Sequence, residues 1–374
     1  MRNTMKTIIV PFLFLWGSFV SLFADNKIST AHRLFLKWDQ NKDKKLIRSE
    51  LPLFAKKNFD QVDQSKDGFI SLSKHVSFLS SQKKKNPNIG FSIIPNLSYS
   101  GTPNPRHTLD LILPTNPDHK KRLPLVVWIH GGGWKNGDKK TGHSPSRVPA
   151  LVKTGRYAGA TINYRLSGEA IWPAQIYDCK AAIRWLCANA KKYGYDSNQI
   201  ALWGSSAGGH LASMLGTTGE HQTYEGILGK HTNQSTHVKA VINYYGPSAL
   251  LQMNDHPSKI NHNAPESPES QLMGYPIQKK RKRTQNASPL HQVSTDDATF
   301  LHFHGTKDPL VPYHQSKIFH QELIQKKVTS NLITLKDGGH SMPPSFTEKF
   351  VIPFLDYNFH GQGSAQTDQT IQWK

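Results

Sequence analysis

One stretch near the middle of the chain restricts the fold more than any other. Ile200–Trp203 is a short apolar run typical of a buried strand, and it leads directly into Gly204-Ser205-Ser206-Ala207-Gly208-Gly209 and a helix of small residues through Leu215. A Gly-x-Ser-x-Gly sequence between a strand and a helix indicates a tight turn that raises the hydroxyl of Ser206 above a sheet. The alternative is a glycine-rich helix start that binds phosphate. The turn makes Ser206 the candidate nucleophile.

A second glycine-rich segment precedes this turn. His130-Gly131-Gly132-Gly133-Trp134 comes directly after a predicted strand that ends at Ile129. Consecutive glycines leave backbone N–H groups free to converge on one point. We expect the N–H groups of Gly132, Gly133 and Ala207 to form an oxyanion hole, in which each donor lowers the barrier by about 3–4 kcal/mol. The alternative, a turn that only requires glycine, does not explain why Ser206 follows in the right order.

The acid and the base that would activate Ser206 are identified by their order along the chain. After a serine nucleophile in such a sheet, the acid follows a late strand and the histidine follows in a loop. Asp308 comes just after the predicted strand Thr299–His304, and His340 follows the predicted strand Leu332–Leu335. We therefore predict a triad in which His340 is the base and Asp308 fixes its tautomer.

Other acids and histidines fit these roles less well. Asp337 is too close in sequence to His340 to orient it easily, and the remaining acids precede the strand. The weaker acids are Asp337, Asp296 and Asp297, and the histidines expected to pack, to line the rim or to hydrogen-bond are His210, His302 and His304.

The fold class follows from alternating strand and helix signals between residues 106 and 360. Continuous apolar runs are typical of strands that are buried on both faces, and a helical spacing separates them. This alternation predicts a parallel sheet with helices on both faces. The predicted strands are Leu123–His130, Tyr157–Tyr164, Ile200–Trp203, Val238–Tyr245 and Phe300–His304, and the predicted helices include Ala174–Lys191 and Tyr313–Gln325.

These motifs together carry a family resemblance. Residues 107–358 resemble the α/β-hydrolase-fold carboxylesterases, in the branch with His-Gly-Gly-Gly-Trp shared by hormone-sensitive-lipase-like enzymes and by feruloyl or acetylxylan esterases. Further similar segments are Asn163–Ser167, Trp172–Cys179 and Asn243–Pro247. The resemblance implies a three-layer α/β/α fold with a mostly parallel sheet, and serine ester hydrolysis without a cofactor. It also implies acetyl or feruloyl groups on carbohydrate as substrates.

The N-terminal residues indicate export. Arg2 and Lys6 precede an apolar stretch from Ile8 to Phe23 that closes at Ala24, which is typical of a secretory signal peptide over residues 1–24. An uncleaved anchor is the alternative. We expect a secreted or periplasmic protein without stable membrane insertion after cleavage, because no internal apolar run reaches the ~20 residues of a membrane span.

Residues 25–85 resemble a paired EF-hand, a small all-α unit. The first loop begins at Asp39 and the second begins 24 residues later at Asp63. Two departures from the motif are Lys44, where the turn favours glycine, and Lys74, where a bidentate carboxylate is expected. The alternative is a pair that survives only as a packing module. The possible calcium ligands are Asp39, Asn41, Asp43, Lys45 through its carbonyl, and Glu50 in the first loop, and, more weakly, Asp63, Ser65 and Asp67 in the second.

The remaining segments complete the predicted organisation. Residues 86–105 are a linker or an edge strand, and residues 361–374 are a polar, mobile tail. Leu250–Gln285 is an insertion that forms either one wall of the acyl pocket or a surface excursion. Cys179 and Cys187 are eight residues apart in a helical pattern, which is too far for a disulfide, so both are expected to be reduced and buried.

The net charge of the chain bears on which partners it could bind. The net charge is +20, with basic runs at 83–85, 120–122 and 279–283. Nucleic acid could be attracted by charge alone, but export argues against it; an anionic polysaccharide would also be attracted, and a merely cationic, solvated surface is the alternative. Three other functions remain open: a small-acyl or lipid esterase, a secreted peptidase of the same fold, and a calcium-dependent attachment protein with a vestigial hydrolase.

Overall fold

The computed structural model describes residues 30–56, 58–85, 90–115 and 122–373. The predicted signal peptide lies outside the described residues. The chain divides into two compact units, Met1–Lys85 and Asn86–Lys374.

Within its described residues, the N-terminal unit combines four helices with one short β-ladder. Lys45–Leu46 (β1) pairs antiparallel with Ile70–Ser71 (β2), so the prediction of an all-α unit is incomplete. Two of the helices are short, since Leu53–Lys56 ends before Phe59–Val62 begins. The helices are Thr30–Trp38 (α1), Leu53–Lys56 (α2), Phe59–Val62 (α3) and Leu72–Lys85 (α4). Phe35, Leu46, Phe59 and Ile70 contribute to a small core of their own. Assignment of this unit to the EF-hand class stays a prediction.

In the described part of the second unit, nine strands form one sheet, which is mostly parallel as predicted. The spatial order is β11-β10-β9-β8-β7-β5-β6-β4-β3, and only β3–β4 and β4–β6 pair antiparallel. The strands are Phe91–Ser98 (β3), Thr108–Pro114 (β4), Leu123–Ile129 (β5), Ala158–Ile162 (β6), Tyr195–Ser205 (β7), Ala240–Tyr244 (β8), Thr299–Gly305 (β9), Ser330–Lys336 (β10) and Gln369–Gln372 (β11).

Helices cover both faces of this sheet. Alternate residues of β5 belong to different cores: Val127 packs with the core on one face, and Val126 and Trp128 pack with the core on the other. A strand that is buried on both faces must be apolar at every position, which explains its continuous apolar run. The helices are Val148–Val152 (α5), Ala174–Tyr193 (α6), Ala207–Thr217 (α7), Gln222–Glu225 (α8), Pro268–Met273 (α9), Arg281–Asn286 (α10), His314–Gln325 (α11) and Ile352–His360 (α12).

Both ends of the second unit add strands to the sheet. Phe91–Ser98 is an edge strand, one of the two alternatives for residues 86–105. The prediction of a mobile tail over 361–374 is wrong for its last part, since β11 pairs in parallel with β10 and the Trp373 N–H donates to the Lys336 carbonyl at 2.8 Å. Ile371 of β11 is partly buried and packs against the core. The polar composition of the segment gave no sign of this contact.

The two cysteines are free thiols, as predicted. Cys179 is buried, but Cys187 is only partly buried, so the prediction of two buried thiols holds for one of them. Burial raises the pKa of the Cys187 thiol to about 11. Across the described residues, none of the helices combines the length and the apolar character that crossing a bilayer requires.

Candidate active site

The site lies where the carboxyl ends of the central strands meet. In a parallel sheet these ends share one edge, and ligands bind in the crevice outside it. The segment beginning at Gly131 follows β5, Ser206 follows β7, Asp308 follows β9 and His340 follows β10. All the predicted catalytic residues are therefore brought to one edge by the topology alone.

Ser206 occupies the sharp turn between β7 and α7. Its backbone has φ +55° and ψ −122°, and its N–H donates to the Tyr244 carbonyl at 2.8 Å. The flanking glycines are required by close backbone approach: a Cβ on Gly204 would collide with the Gly208 carbonyl, and one on Gly208 would collide with the backbone at Ile129. The turn thus has the strained geometry that the sequence predicted.

His340 and Asp308 form a hydrogen-bonded pair beside this turn. His340 Nδ1 is 2.6 Å from Asp308 Oδ2, so the Nδ1–H donates to the carboxylate and Nε2 is left as the proton acceptor. The other carboxylate oxygen accepts from the Leu310 and Val311 N–H groups at 2.9 and 3.0 Å. Burial opposes ionisation of Asp308, but hydrogen bonds from His304 and His340 outweigh it and hold the pKa of Asp308 well below its ordinary value.

Sequence reasoning missed the role of His304. This side chain is buried, as predicted, but its Nε2 lies 3.2 Å from Asp308 Oδ2 and 2.8 Å from the Val311 carbonyl, while Nδ1 accepts from Ser316 Oγ at 2.8 Å. His304 therefore helps to hold the Asp308 carboxylate in position, through the same oxygen that His340 contacts. Its position near the carboxyl end of β9, four residues before Asp308, is the signal that could have indicated this contact.

Ser206 and His340 face the same cavity. They make no hydrogen bond with each other within the described residues; catalytic hydrogen bonds are often long in ligand-free proteins and tighten when substrate binds. Tyr245 packs against the base, with ring centroids 4.2 Å apart, and so restricts the rotation of His340. Tyr245 is buried and has a φ of +42°.

The predicted oxyanion-hole residues border the same cavity. Gly132, Gly133 and Ala207 line it together with Ser206. Gly132 and Gly133 have φ values of +114° and +59°, and a Cβ on Gly132 would collide with the Asn136 carbonyl. Within the described part of the chain, the N–H groups of these two glycines donate no hydrogen bond to other residues. They are therefore available to an oxyanion.

A buried tryptophan–histidine contact joins the glycine segment to the nucleophile helix. Trp134 Nε1 donates to His210 Nδ1 at 3.2 Å, and His210 Nε2 donates to the Ala287 carbonyl at 2.7 Å. Burial lowers the pKa of His210 to about 4, so this imidazole is neutral. The prediction of a packing or hydrogen-bonding role for His210 is confirmed.

The weaker acid candidates lie outside the triad. Asp337 pairs with Lys307 Nζ at 2.8 Å. Asp296 and Asp297 accept hydrogen bonds from Ser294 and border a different cavity.

The insertion Leu250–Gln285 forms one wall of the active-site cavity, which has a volume of about 660 Å³. Ile260, His262, Pro268 and Glu269 are the lining residues that it contributes. His262 Nδ1 is 2.9 Å from Glu269 Oε2, and both side chains are buried. Ser258 Oγ is 3.1 Å from His262 Nε2 and 3.2 Å from the Pro309 carbonyl, so the insertion is tied to the loop that carries Asp308. Of the two alternatives for this insertion, a cavity wall and a surface excursion, the structure shows the cavity wall.

The geometry gives no support to calcium in the first N-terminal loop. Asp39 Oδ2 accepts from the Lys44 N–H at 3.0 Å, Asp43 Oδ1 accepts from the Lys45 N–H at 2.8 Å, and Glu50 Oε2 accepts from a loop N–H. Asn41 Oδ1 likewise accepts from the Asp43 N–H. Among the residues that the structure describes, no cluster of three or more His, Cys, Asp and Glu side chains is arranged to hold a metal ion. Calcium there stays a prediction.

In the second loop a lysine takes the place predicted for calcium. Lys74 Nζ lies 2.8 Å from Asp63 Oδ1, 2.6 Å from Asp67 Oδ1 and 3.0 Å from the Phe69 carbonyl. The ammonium group thus uses the oxygens that would surround a cation and holds the pKa of Asp63 well below its ordinary value. Ser65 Oγ donates to Asp67. This arrangement argues against a calcium ion bound by Asp63, Ser65 and Asp67.

Replacement of Lys74 by glutamate is expected to create calcium binding in this loop. The change removes the internal cation and supplies the carboxylate that the motif lacks, so one additional calcium ion per chain should bind, with a Kd of about 10⁻⁵–10⁻³ M by calorimetry. Lys74→Gln removes the charge without adding a ligand and should bind far more weakly. Calcium binding by the unaltered chain that Asp63→Asn abolishes would contradict this prediction.

The fold and the site together define an α/β-hydrolase with a Ser206–His340–Asp308 arrangement. Residues 109–323 match the BD-FAE family model, which covers more than half of the chain. The chain therefore belongs to the BD-FAE family.

Similar proteins bear the names of ester hydrolases. The chain is 29% identical over 249 residues to the probable carboxylic ester hydrolase LipM of Mycobacterium tuberculosis, covering 66% of this chain and 52% of LipM. A truncated carbohydrate esterase from gut microbiota superposes with a TM-score of 0.66 at 29% identity, over 73% of this chain and 96% of that one. A bifunctional GH43–CE protein of Bacteroides eggerthii superposes with a TM-score of 0.64 at 29% identity. The match covers 72% of this chain and 38% of that protein.

The chain spans about half the length of the curated relatives that it matches. Carboxylic ester hydrolysis is the class of activity that the family, these relatives and the site geometry support together.

Proposed function

We propose that this protein is a serine carboxylic ester hydrolase that removes acyl groups, acetyl or feruloyl, from carbohydrate. The observation that carries the proposal is the 2.6 Å contact between His340 Nδ1 and Asp308 Oδ2, beside a cavity that Ser206 and His340 share. The paired imidazole has its Nε2 lone pair available, which is the state that a general base requires.

The first step is acylation of Ser206. His340 Nε2 takes the hydroxyl proton as Ser206 Oγ attacks the ester carbonyl, and Asp308 stabilises the imidazolium that forms. The N–H groups of Gly132, Gly133 and Ala207 stabilise the negative charge on the former carbonyl oxygen. His340 then gives its proton to the leaving alcohol, and the acyl group remains on Ser206.

The second step returns the enzyme to its starting state. His340 removes a proton from a water molecule, whose oxygen attacks the acyl-enzyme carbonyl. The same glycine N–H groups stabilise the second oxyanion, and the proton on His340 passes to Ser206 Oγ as the acid leaves. In both steps the catalytic groups are side chains and backbone N–H groups of this chain, and water is the second nucleophile.

The carbohydrate part of the proposal draws support from the similar solved structures. Two of them, at 29% identity, are named as a carbohydrate esterase and a GH43–CE protein. Export through the predicted signal peptide over residues 1–24 fits a substrate outside the cell, and we include secretion or periplasmic location in the proposal. A small-acyl or lipid esterase is the second candidate, because the curated relatives are named as carboxylic ester hydrolases and esterases.

Hydrolysis of a substrate panel tests the proposal. The panel contains p-nitrophenyl acetate, butyrate and octanoate, methyl ferulate and acetylated xylan, with Ser206→Ala as the blank. We expect turnover of acetyl or feruloyl esters, and release of acetate from the polysaccharide, both of which disappear in the variant.

A preference for the octanoate ester with no acetate released from xylan would favour the lipid esterase instead. Turnover of a peptide anilide with no turnover of any ester in the panel would contradict ester hydrolysis itself.

A further inference from the structure

Among the described residues, two cationic side chains of the active-site cavity have no acidic partner. Arg147 and Lys135 both line the cavity, and neither forms an ion pair within the described residues. The guanidinium of Arg147 is held in place: its Cζ lies 4.4 Å from the centroid of the Trp128 ring, and Nη1 donates to the Thr141 carbonyl at 2.6 Å. Most of its N–H donors are left for a ligand.

The acids near the cavity are committed to other groups. Glu269 is the one acidic residue among the described residues that line the cavity, and it is paired with His262 at 2.9 Å. Asp308 is engaged by His340 and His304. Neither carboxylate therefore neutralises Arg147 or Lys135.

Partial burial of Arg147 is unfavourable without a counter-charge. Burial lowers the pKa of Arg147, and Tyr245 and Tyr244 partly oppose this effect. A buried cation is stabilised when an anion replaces its lost hydration. The cavity thus offers a fixed guanidinium to an incoming acidic group, beside the tyrosine that packs on His340.

A second groove, beside the loop that carries Asp308, is also cationic. Its lining includes His256, Lys259, His314 and Lys317, together with Asp308 of the triad. The rings of His256 and His314 are 3.9 Å apart. Burial, His256 and Lys317 together lower the pKa of His314, and the nearby acid that opposes them is Asp255. Lys307 also lines this groove but is paired with Asp337.

We propose that the acylated carbohydrate carries acidic groups, and that Arg147, assisted by Lys135, binds one of them beside the ester being cleaved. The groove at Lys259 and Lys317 receives the continuing chain of the same polyanion. The inference rests on the proposed ester hydrolysis and specifies its substrate. A guanidinium binds a carboxylate or a sulfate in bidentate geometry, so uronic acid and sulfate ester are the two sources of the charge.

A matched set of oligosaccharides tests the inference. Acetylated xylo-oligosaccharides with a glucuronic acid branch are compared with the same compounds after reduction of the carboxyl group, and with sulfated, acetylated xylo-oligosaccharides. Release of acetate gives kcat/KM for each at low and at high ionic strength. We expect the acidic substrates to be preferred about tenfold over the neutral one, mostly through KM, with a smaller preference at high salt.

Variants assign the preference to a residue. Arg147→Gln should reduce the ratio of acidic to neutral kcat/KM to near one, and Arg147→Lys should retain part of it. Lys326→Gln removes an exposed charge that lines neither cavity and should keep the ratio. Because the readout is a ratio measured in one protein, a general loss of folded enzyme does not change it.

The outcomes separate this inference from the proposed function. An active enzyme with a ratio near one, or with a ratio that Arg147→Gln leaves intact, would overturn the acidic substrate alone. Absence of acetate release from every oligosaccharide, together with no turnover of p-nitrophenyl acetate, would overturn ester hydrolysis and this inference with it. Preference for the sulfated compound over the uronic acid compound would identify the sulfate ester as the source of charge.

Discussion

Replacement of Ser206 by alanine is expected to lower kcat for an aryl acetate by about 10⁴- to 10⁶-fold. The variant loses the atom that forms the acyl-enzyme, whereas the His340–Asp308 pair and the glycine N–H groups remain. The residual rate should therefore come from oxyanion stabilisation and binding alone. Steady-state kinetics on the purified chain, with circular dichroism to verify folding, measure the effect.

Ser213 supplies a matched control for this substitution. It lies on α7, the helix that follows the turn at Ser206. Its side chain is buried, and its Oγ makes no hydrogen bond within the described residues. Ser213→Ala should therefore keep kcat within about threefold, since surrounding contacts change little. Loss of activity in Ser213→Ala but not in Ser206→Ala would contradict the assignment of the nucleophile.

Replacement of Asp308 by asparagine is expected to lower kcat by about 10³- to 10⁴-fold. The carboxamide oxygen can still accept from Leu310 and Val311, so the loop keeps its shape. Its NH₂ group, however, would face His340 Nδ1, which must then act as an acceptor. The imidazole would carry its proton on Nε2 and could not accept one from Ser206.

Asp337→Asn is the control for the acid, because Asp337 lies in the same region of the chain and was the next candidate by sequence. Its carboxylate is paired with Lys307 on the surface, where such pairs contribute at most about 1 kcal/mol. We expect kcat within about threefold of the unaltered enzyme. A large loss in Asp337→Asn combined with normal activity in Asp308→Asn would exchange the two assignments.

The fold and the triad could be predicted because their signals are local or ordered along the chain. Buried strands of a parallel sheet must be apolar throughout, as β5 shows, and the turn at Ser206 requires glycine where the backbone approaches closely. Chain order then selected Asp308 from several acids. The topology of a parallel sheet brings these residues to one edge whatever the intervening loops do.

The supporting contacts could not be predicted because they depend on side-chain direction. His304 could have packed in the core without contacting Asp308, and nothing in the local sequence pairs Trp134 with His210. Alternation along a strand gives the face of a residue but not its partner across a loop.

Two further features escaped the sequence analysis because they depend on pairing. The polar segment after Gly361 has few apolar residues, yet it adds a strand to an existing edge, where backbone hydrogen bonds and Ile371 suffice. In the N-terminal unit, Lys74 was recognised as a missing carboxylate. Only the structure shows that the Lys74 ammonium group contacts Asp63 and Asp67.

The most direct test of the central claim is covalent labelling with a phosphonate ester, followed by mass spectrometry of the peptides. We expect one adduct per chain on the peptide that contains Ser206, no adduct in Ser206→Ala, and loss of ester turnover in proportion to labelling. An adduct on another residue, or full labelling and turnover in Ser206→Ala, would contradict a serine hydrolase built on Ser206, His340 and Asp308.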